Sequence, residues 1–159
     1  MPKYSVNVKM PDYLAQWLMN EFWSEECRMI VFPRGSAAAC VLSSCLCKAP
    51  TCMPVYSGGL PVAIPTVRGL NPAVYNHVTK KGQAALVATC RRMFKAMLYQ
   101  ELGNLFEHDV AVSDLIYAFL EKHGIEDSPK NWEAVRQIYI RLRQASRNRH
   151  MDDDTVNAC

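Results

Sequence analysis

The sequence predicts an α+β fold in which a small β-sheet of about three short strands packs on helices in the N-terminal half, while a helical C-terminal half ends in an αα hairpin. Three observations predict it. Apolar and polar side chains alternate over residues 4–10, short apolar runs at 29–32 and 62–64 are bounded by proline and glycine, and from residue 80 onward apolar residues recur at helical spacing. Half of the 159 residues are hydrophobic and 21% are charged, the balance of an ordered chain. A chain of this length suits one domain and buries roughly 70% of its unfolded surface. The domain is drawn as a single α+β unit at 1–150, with the hairpin at 113–149 and a flexible tail at 151–159.

Tyr4, Val6, Val8 and Met10 alternate with Ser5, Asn7 and Lys9, the pattern of a half-buried strand. Pro11 ends it and, with Asp12, opens a helix, because proline is tolerated in a first turn and an acid there complements the helix dipole. Leu14, Trp17, Leu18 and Phe22 give that helix its buried face, with Trp23 at the core edge. Met29 to Phe32, closed by Pro33-Arg34-Gly35, reads as a second, more buried strand. If the two strands share a sheet, the helix between them is a right-handed βαβ crossover. Ser36 caps a helix to about Lys48 whose Ala, Ser and Cys residues favour close packing. Ala49–Gly59 holds two prolines and two glycines and reads as a loop and a site of disorder, and Pro61 and Pro65 place the strand Val62–Ile64 on a sheet edge.

Asn71-Pro72 starts one helical turn, and Thr79 caps a long helix from Lys80 to about Leu102. Leu86, Cys90, Met93, Phe94 and Met97 fall within an arc of about 100° and form its core stripe, opposite Arg91, Arg92, Lys95 and Tyr99. Ser113 caps the next helix, which buries Leu115, Ile116, Phe119 and Leu120. Lys122 and His123 complement its negative end, and Gly124 is the left-handed residue that stops it. Ser128-Pro129 starts the last helix, whose stripe is Trp132, Val135, Ile138, Tyr139 and Leu142, with Ile140 exposed beside it.

The net charge of +3 is unevenly placed: residues 1–60 balance at +1, residues 61–151 at +5, and Asp152, Asp153 and Asp154 take back −3. The last helix carries five arginines within 18 residues. Arg136, Arg143 and Arg147 lie within about 40° of one another on a helical projection, a row able to follow phosphates, while Arg141, Gln137 and Asn148 reach toward backbone or base edges. Arg91, Arg92 and Lys95 form a second basic face. The alternative for the same arginines is a solvated helix face on which they cover apolar neighbours and pair with Glu133.

Other chemistry finds little support. The seven cysteines are odd in number, Cys40, Cys45, Cys47 and Cys52 show no C-x-x-C spacing, and no basic start precedes a hydrophobic stretch, so cytosolic, reduced, small apolar side chains are expected, with metal binding by the 40–52 cluster left open. No apolar run approaches the ~20 residues that span a bilayer. His77, His108, His123 and His150 are scattered without a metal-binding pair, and Arg34-Gly35-Ser36 and Ser57-Gly58-Gly59 are glycine turns lacking the rest of a phosphate loop, so neither an enzyme nor a cofactor is expected. The strand and helix at the start resemble the opening of a ribbon-helix-helix repressor, but only over about 20 residues before Met29–Pro33 departs from that pattern.

Pro11-Asp-Tyr-Leu-Ala-Gln-Trp17, Phe32-Pro-Arg-Gly-Ser36, Val74-Tyr-Asn76, Asp114-Leu-Ile-Tyr-Ala-Phe119, His123-Gly-Ile125 and Asn131-Trp132 together resemble a family of small uncharacterised proteins carried on bacterial phages and integrative mobile elements. The resemblance implies a setting in which DNA-binding accessory proteins are common, and brings no site residues with it. The leading expectation is therefore a cytoplasmic accessory or regulatory protein that binds DNA or another polyanion through Arg136, Arg141, Arg143 and Arg147, and secondarily Arg91, Arg92 and Lys95. The competing expectation is a protein-interaction or assembly module, self-associating through Ile140, the Met-rich long helix and the Ala/Cys-rich helix.

Overall fold

Alternation does set the first strand, β1 (Ser5–Val8): Val6 and Val8 are buried and Ser5 and Asn7 exposed. The computed structural model describes residues 4–51 and 58–156, with side chains through Arg149. Over these residues it is α+β, with five α-helices, a four-stranded sheet, a two-stranded sheet and a helical C-terminal half. The chain divides into two compact units, Met1–Arg92 and Met93–Cys159.

In the first unit, helix α1 (Asp12–Phe22) begins directly after Pro11, whose carbonyl accepts the amides of Leu14 and Ala15, and it buries Tyr13, Leu14, Trp17 and Leu18. A tight hairpin of β2 (Trp23–Ser24) and β3 (Met29–Ile30) follows. Arg28, at φ 53°, turns the chain between them in the left-handed region that non-glycine residues rarely occupy. Helix α2 (Ala37–Cys45) is capped as expected, the Ala39 amide donating to Ser36 Oγ at 3.2 Å. Strand β4 (Leu46–Cys47) pairs with β6 (His77–Val78) to make the small sheet, and β5 (Leu60–Ala63) belongs to the large one. Asn71 closes one helical turn with the Tyr75 amide at 2.9 Å. The rest of the expected loop, residues 52–57, lies outside the described residues.

The order β1-β5-β3-β2 corrects two expectations. The strand bracketed by Pro61 and Pro65 is central, not an edge: β5 is antiparallel to β1 and parallel to β3. The Ile64 amide donates to the Tyr4 carbonyl at 2.9 Å, and ladder alternation from that bond puts Asn7 opposite Pro61 at a non-hydrogen-bonded pair, so β1 asks no donor of the proline. On its other side β5 meets only the two-residue β3, through Ile30 opposite Val62. Because β1 and β3 therefore run in opposite directions, α1 is not a βαβ crossover. The parallel pair is β3 and β5, joined across α2.

Val8, Leu14, Leu18, Ile30 and Val62 are completely excluded from solvent, and each such side chain contributes about 1.5–3 kcal/mol of transfer free energy. Phe22 bridges the elements, with its ring 6.0 Å from Trp17 and 5.6 Å from Phe32.

Helix α3 (Lys80–Leu102) starts at the expected cap, the Gly82 amide donating to Thr79 Oγ1 at 3.2 Å, and runs into a 3₁₀ turn at Gly103–Leu105. Leu86, Cys90, Phe94, Leu98 and Leu102 are its buried residues of the apolar stripe; Met93 and Met97 are half-buried. In the second unit α4 (Val112–Lys122) packs on α5 (Pro129–Val156). Ser113 is not the cap of α4: the helix starts at Val112 with Ala111 in the cap position, two residues before Ser113, and the Ala111 carbonyl receives the amides of Asp114 and Leu115. Its end is as expected. Gly124 sits at φ 61°, its amide bonds to Glu121 O and the Ile125 amide to Leu120 O, and Ile125 is buried, the paired bonds and apolar contact of a Schellman stop. The Asn131 amide donates to Ser128 Oγ, capping α5. That helix runs past Arg149 to Val156, where a tail was expected, since no glycine or proline follows Pro129 to break it.

Gly59 has φ +113°, and a Cβ there would lie 3.0 Å from the Val8 carbonyl carbon and oxygen. Gly59→Ala is expected to lower unfolding free energy by about 2–4 kcal/mol through backbone strain plus displacement of β1, measured by urea denaturation.

Candidate nucleic-acid interface

The final helix keeps the row Arg136, Arg143 and Arg147 that its periodicity prescribes, but the three are not equivalent. Arg136 Nη1 lies 3.4 Å from Glu133 Oε1, and the guanidinium carbon stands 5.6 Å from the centre of the Trp132 ring. Glu133 also accepts a hydrogen bond from Gln137 Nε2 at 2.7 Å. This is the intramolecular pairing that the sequence left as the alternative. Trp132 in turn rests against Tyr117, ring centres 5.9 Å apart.

Arg143 is also engaged. Its Nε donates to the Phe106 carbonyl at 2.8 Å, satisfying an oxygen just beyond the 3₁₀ turn where the helical ladder has stopped. Phe106 itself is buried between the rings of Tyr99, at 5.7 Å, and Tyr139, at 5.2 Å. Arg143 thus fastens the segment after α3 to α5, which accounts for its being half-buried.

Arg141, Arg147 and Arg149 are exposed. None of residues 140–149 is buried, and the sequence from Ala134 to Met151 contains no acid. The two regions overlap over residues 140–149, so this stretch of α5 presents positive charge with no acid of its own, and the next acids in sequence are Asp152, Asp153 and Asp154 in the last turns of the helix. Ile140, expected to be exposed, is half-buried.

The secondary basic residues divide likewise. In the first unit the Arg91 side chain hydrogen-bonds the Tyr13 hydroxyl; burial raises the Tyr13 pKa and the Arg91 charge and hydrogen bond partly offset that rise. Arg92 Nη2 donates to Thr89 Oγ1 at 3.1 Å. Arg91 and Arg92 are exposed all the same, as is Lys95 in the second unit.

Sequence reasoning treated His123 only as a helix-end cation. Its ring is buried, 4.6 Å from the Phe119 ring, and Nε2 lies 2.9 Å from Glu101 Oε1. Lys122 Nζ meets the other carboxylate oxygen at 3.0 Å. Burial by itself would raise the Glu101 pKa, but the hydrogen bonds and charges of His123 and Lys122 prevail and hold it below the ordinary carboxylate value. A separation of 22 residues hid this cluster, since no local spacing marks a partner that tertiary structure supplies.

None of the described cysteines joins a cluster of this kind. Cys90 is buried and its thiol is pushed up to about 11, mainly by that burial, while Cys27, Cys45 and Cys47 are half-buried and Cys40 is exposed. Cys52 lies outside the described residues, and among the described residues no three His, Cys, Asp or Glu side chains converge on a metal position. Likewise, among the described residues no helix is long and apolar enough to cross a membrane. No protein-family model matches the chain, and neither a curated protein nor a solved structure is significantly similar to it.

A depressed Glu101 pKa stabilises the fold at pH values above the unfolded carboxyl value of about 4.5, and this contribution drains away as pH falls through the lower folded value. Glu101→Gln is expected to lower Tm by roughly 3 °C at pH 7, a deficit that shrinks between pH 5 and pH 3 in thermal melts.

Proposed function

We propose that the protein binds nucleic acid, most simply DNA, through the exposed arginines of the second half of α5, as an accessory or regulatory protein of a mobile element. One observation carries the reading. Arg141, Arg147 and Arg149 are exposed on the stretch 140–149 of α5, which has no buried side chain and no acid in its sequence before Asp152, Asp153 and Asp154 close the helix. Such a surface suits a partner that supplies regularly spaced negative charge, because each phosphate neutralised releases condensed counterions. Binding of this type positions a protein on the duplex without demanding a particular base sequence.

The four engaged arginines support the fold in this reading. Arg136 and Arg143 brace the hairpin, while Arg91 and Arg92 serve their own neighbourhood. The contact set is accordingly narrower than the seven candidates that the sequence pattern offers, with Lys95 as an exposed auxiliary. The acids Glu126 and Asp127 precede α5 and repel phosphate, which favours contact along the far half of the helix over insertion by its N-terminus. An assembly module is the weaker reading, since Ile140, its principal exposed apolar contact on α5, is half-buried.

Replacing Arg141, Arg147 and Arg149 together with alanine is expected to abolish retention on heparin at low salt and to flatten the dependence of log K on log salt for duplex DNA by nearly one unit per lost phosphate contact. Arg136→Ala with Arg143→Ala is expected to lower Tm and leave that slope nearly unchanged. Undiminished DNA binding by the first variant overturns the proposal.

A further inference from the structure

The first unit holds a cavity of about 1060 Å3 between α2 and the residues that follow β3 and β5. These are the carboxyl ends of the one parallel strand pair among the described residues, joined across α2, and in open α/β sheets the crevice outside such ends is where ligands bind. The volume is at the upper end for a site that encloses a small molecule. Phe32, Leu42 and Ile64 are buried and furnish an apolar wall, and Thr66 brings an exposed hydroxyl residue to the lining.

The charged lining is of one sign. Arg34 and Arg68 both line the cavity, both are exposed, and neither forms an ion pair with a described residue; no acid lines the cavity among the described residues. Elsewhere in this protein arginines bordering apolar surface are engaged, as Arg136 is by Glu133 and Arg143 by a carbonyl. The two cavity arginines come from separate loops, one leading into α2 and one following β5, and arrive at the same opening. The local Arg34-Gly35-Ser36 sequence lacks a phosphate-loop motif, so its partner arginine was invisible to a search for local patterns.

We infer that this cavity is a binding site for a small molecule carrying a phosphate or carboxylate group on an apolar body, with Arg34 and Arg68 holding the anion and the Phe32, Leu42 and Ile64 wall receiving the rest. Guanidinium groups pair with either oxyanion through charge-assisted hydrogen bonds, and the apolar wall gives no purchase to an inorganic ion alone. The site is separate in sequence and chemistry from the α5 surface, and it stands if the nucleic-acid reading fails.

Phenyl phosphate, with phenol as the uncharged control, tests it by amide chemical-shift titration of the full chain. Phenyl phosphate is expected to cause saturable shifts at Gly35, Leu42 and Thr66, phenol to cause none at the same concentration, and Arg34→Gln with Arg68→Gln to weaken Kd by at least ~10-fold, the loss of one charge-assisted bond or more. Alkylation of the exposed cavity residue Cys40 by iodoacetamide, followed by peptide mass spectrometry, gives an independent readout on the unmutated protein, and phenyl phosphate is expected to slow it in proportion to occupancy. The Arg141, Arg147 and Arg149 triple variant is expected to bind phenyl phosphate as tightly as the parent. Absence of saturable shifts, shifts confined to α5, equal binding of phenol, unchanged Kd in the double variant or unprotected Cys40 each overturns the inference.

Discussion

The sheet of the first unit depends on β5 being paired on both sides although it is four residues long and contains a proline. Two constraints make this possible. Register places Pro61 where β1 requires no donor, and Gly59 leaves free the space beside the Val8 backbone in which a Cβ would lie 3.0 Å from the Val8 carbonyl. Val62 can then face β1 on one side and Ile30 on the other while remaining fully buried. The brevity of β3 is part of the same solution, since a longer neighbour would meet the missing N–H. The crevice lined by Arg34 and Arg68 follows from this pairing, because it is the parallel β3 and β5 that turn their carboxyl ends the same way.

The second unit organises its charges around aromatic packing. Phe106 fills the space between Tyr99 and Tyr139, and its carbonyl, left without a helical partner, draws in Arg143. At the other end of the hairpin Arg136 is held between Glu133 and the Trp132 ring. An arginine beside an apolar stripe is therefore a packing element where an acceptor or ring stands within reach, and a solvated cation only where none does.

Much of this fold was legible because local rules and tertiary packing agree. Alternation in β1, Pro11 before α1, Ser36 and Ser128 as caps, and Gly124 as a stop each describe a local backbone need that one residue type meets, and each is found in place. The failures share a cause. A proline argues for an edge only if its missing donor would be called upon, and that is decided by register across 54 residues, from Asn7 to Pro61. The hairpin strand Trp23–Ser24 is too short to show a period. At the candidate surfaces, helical projection correctly aligned Arg136, Arg143 and Arg147, but could not report that Phe106 and Glu133 would engage two of them. His123 with Glu101, and Arg34 with Arg68, are likewise meetings of distant segments.

Tyr139 is the last buried side chain of α5 among those described, so the residues from Ile140 to Arg149 hold their helical form with only the half-buried Ile140, Leu142, Arg143 and Ser146 against the rest of the unit. Their helicity rests on propensity and on attachment to the packed turns before them, which remove the cost of nucleation. Working against it, Arg143 and Arg147 stand four apart, a like-charge pair that destabilises a helix by about 0.2–0.5 kcal/mol. An anion laid along this stretch removes that repulsion. The helix–coil balance of this stretch is thereby coupled to ionic environment, because salt screens the repulsion that opposes winding.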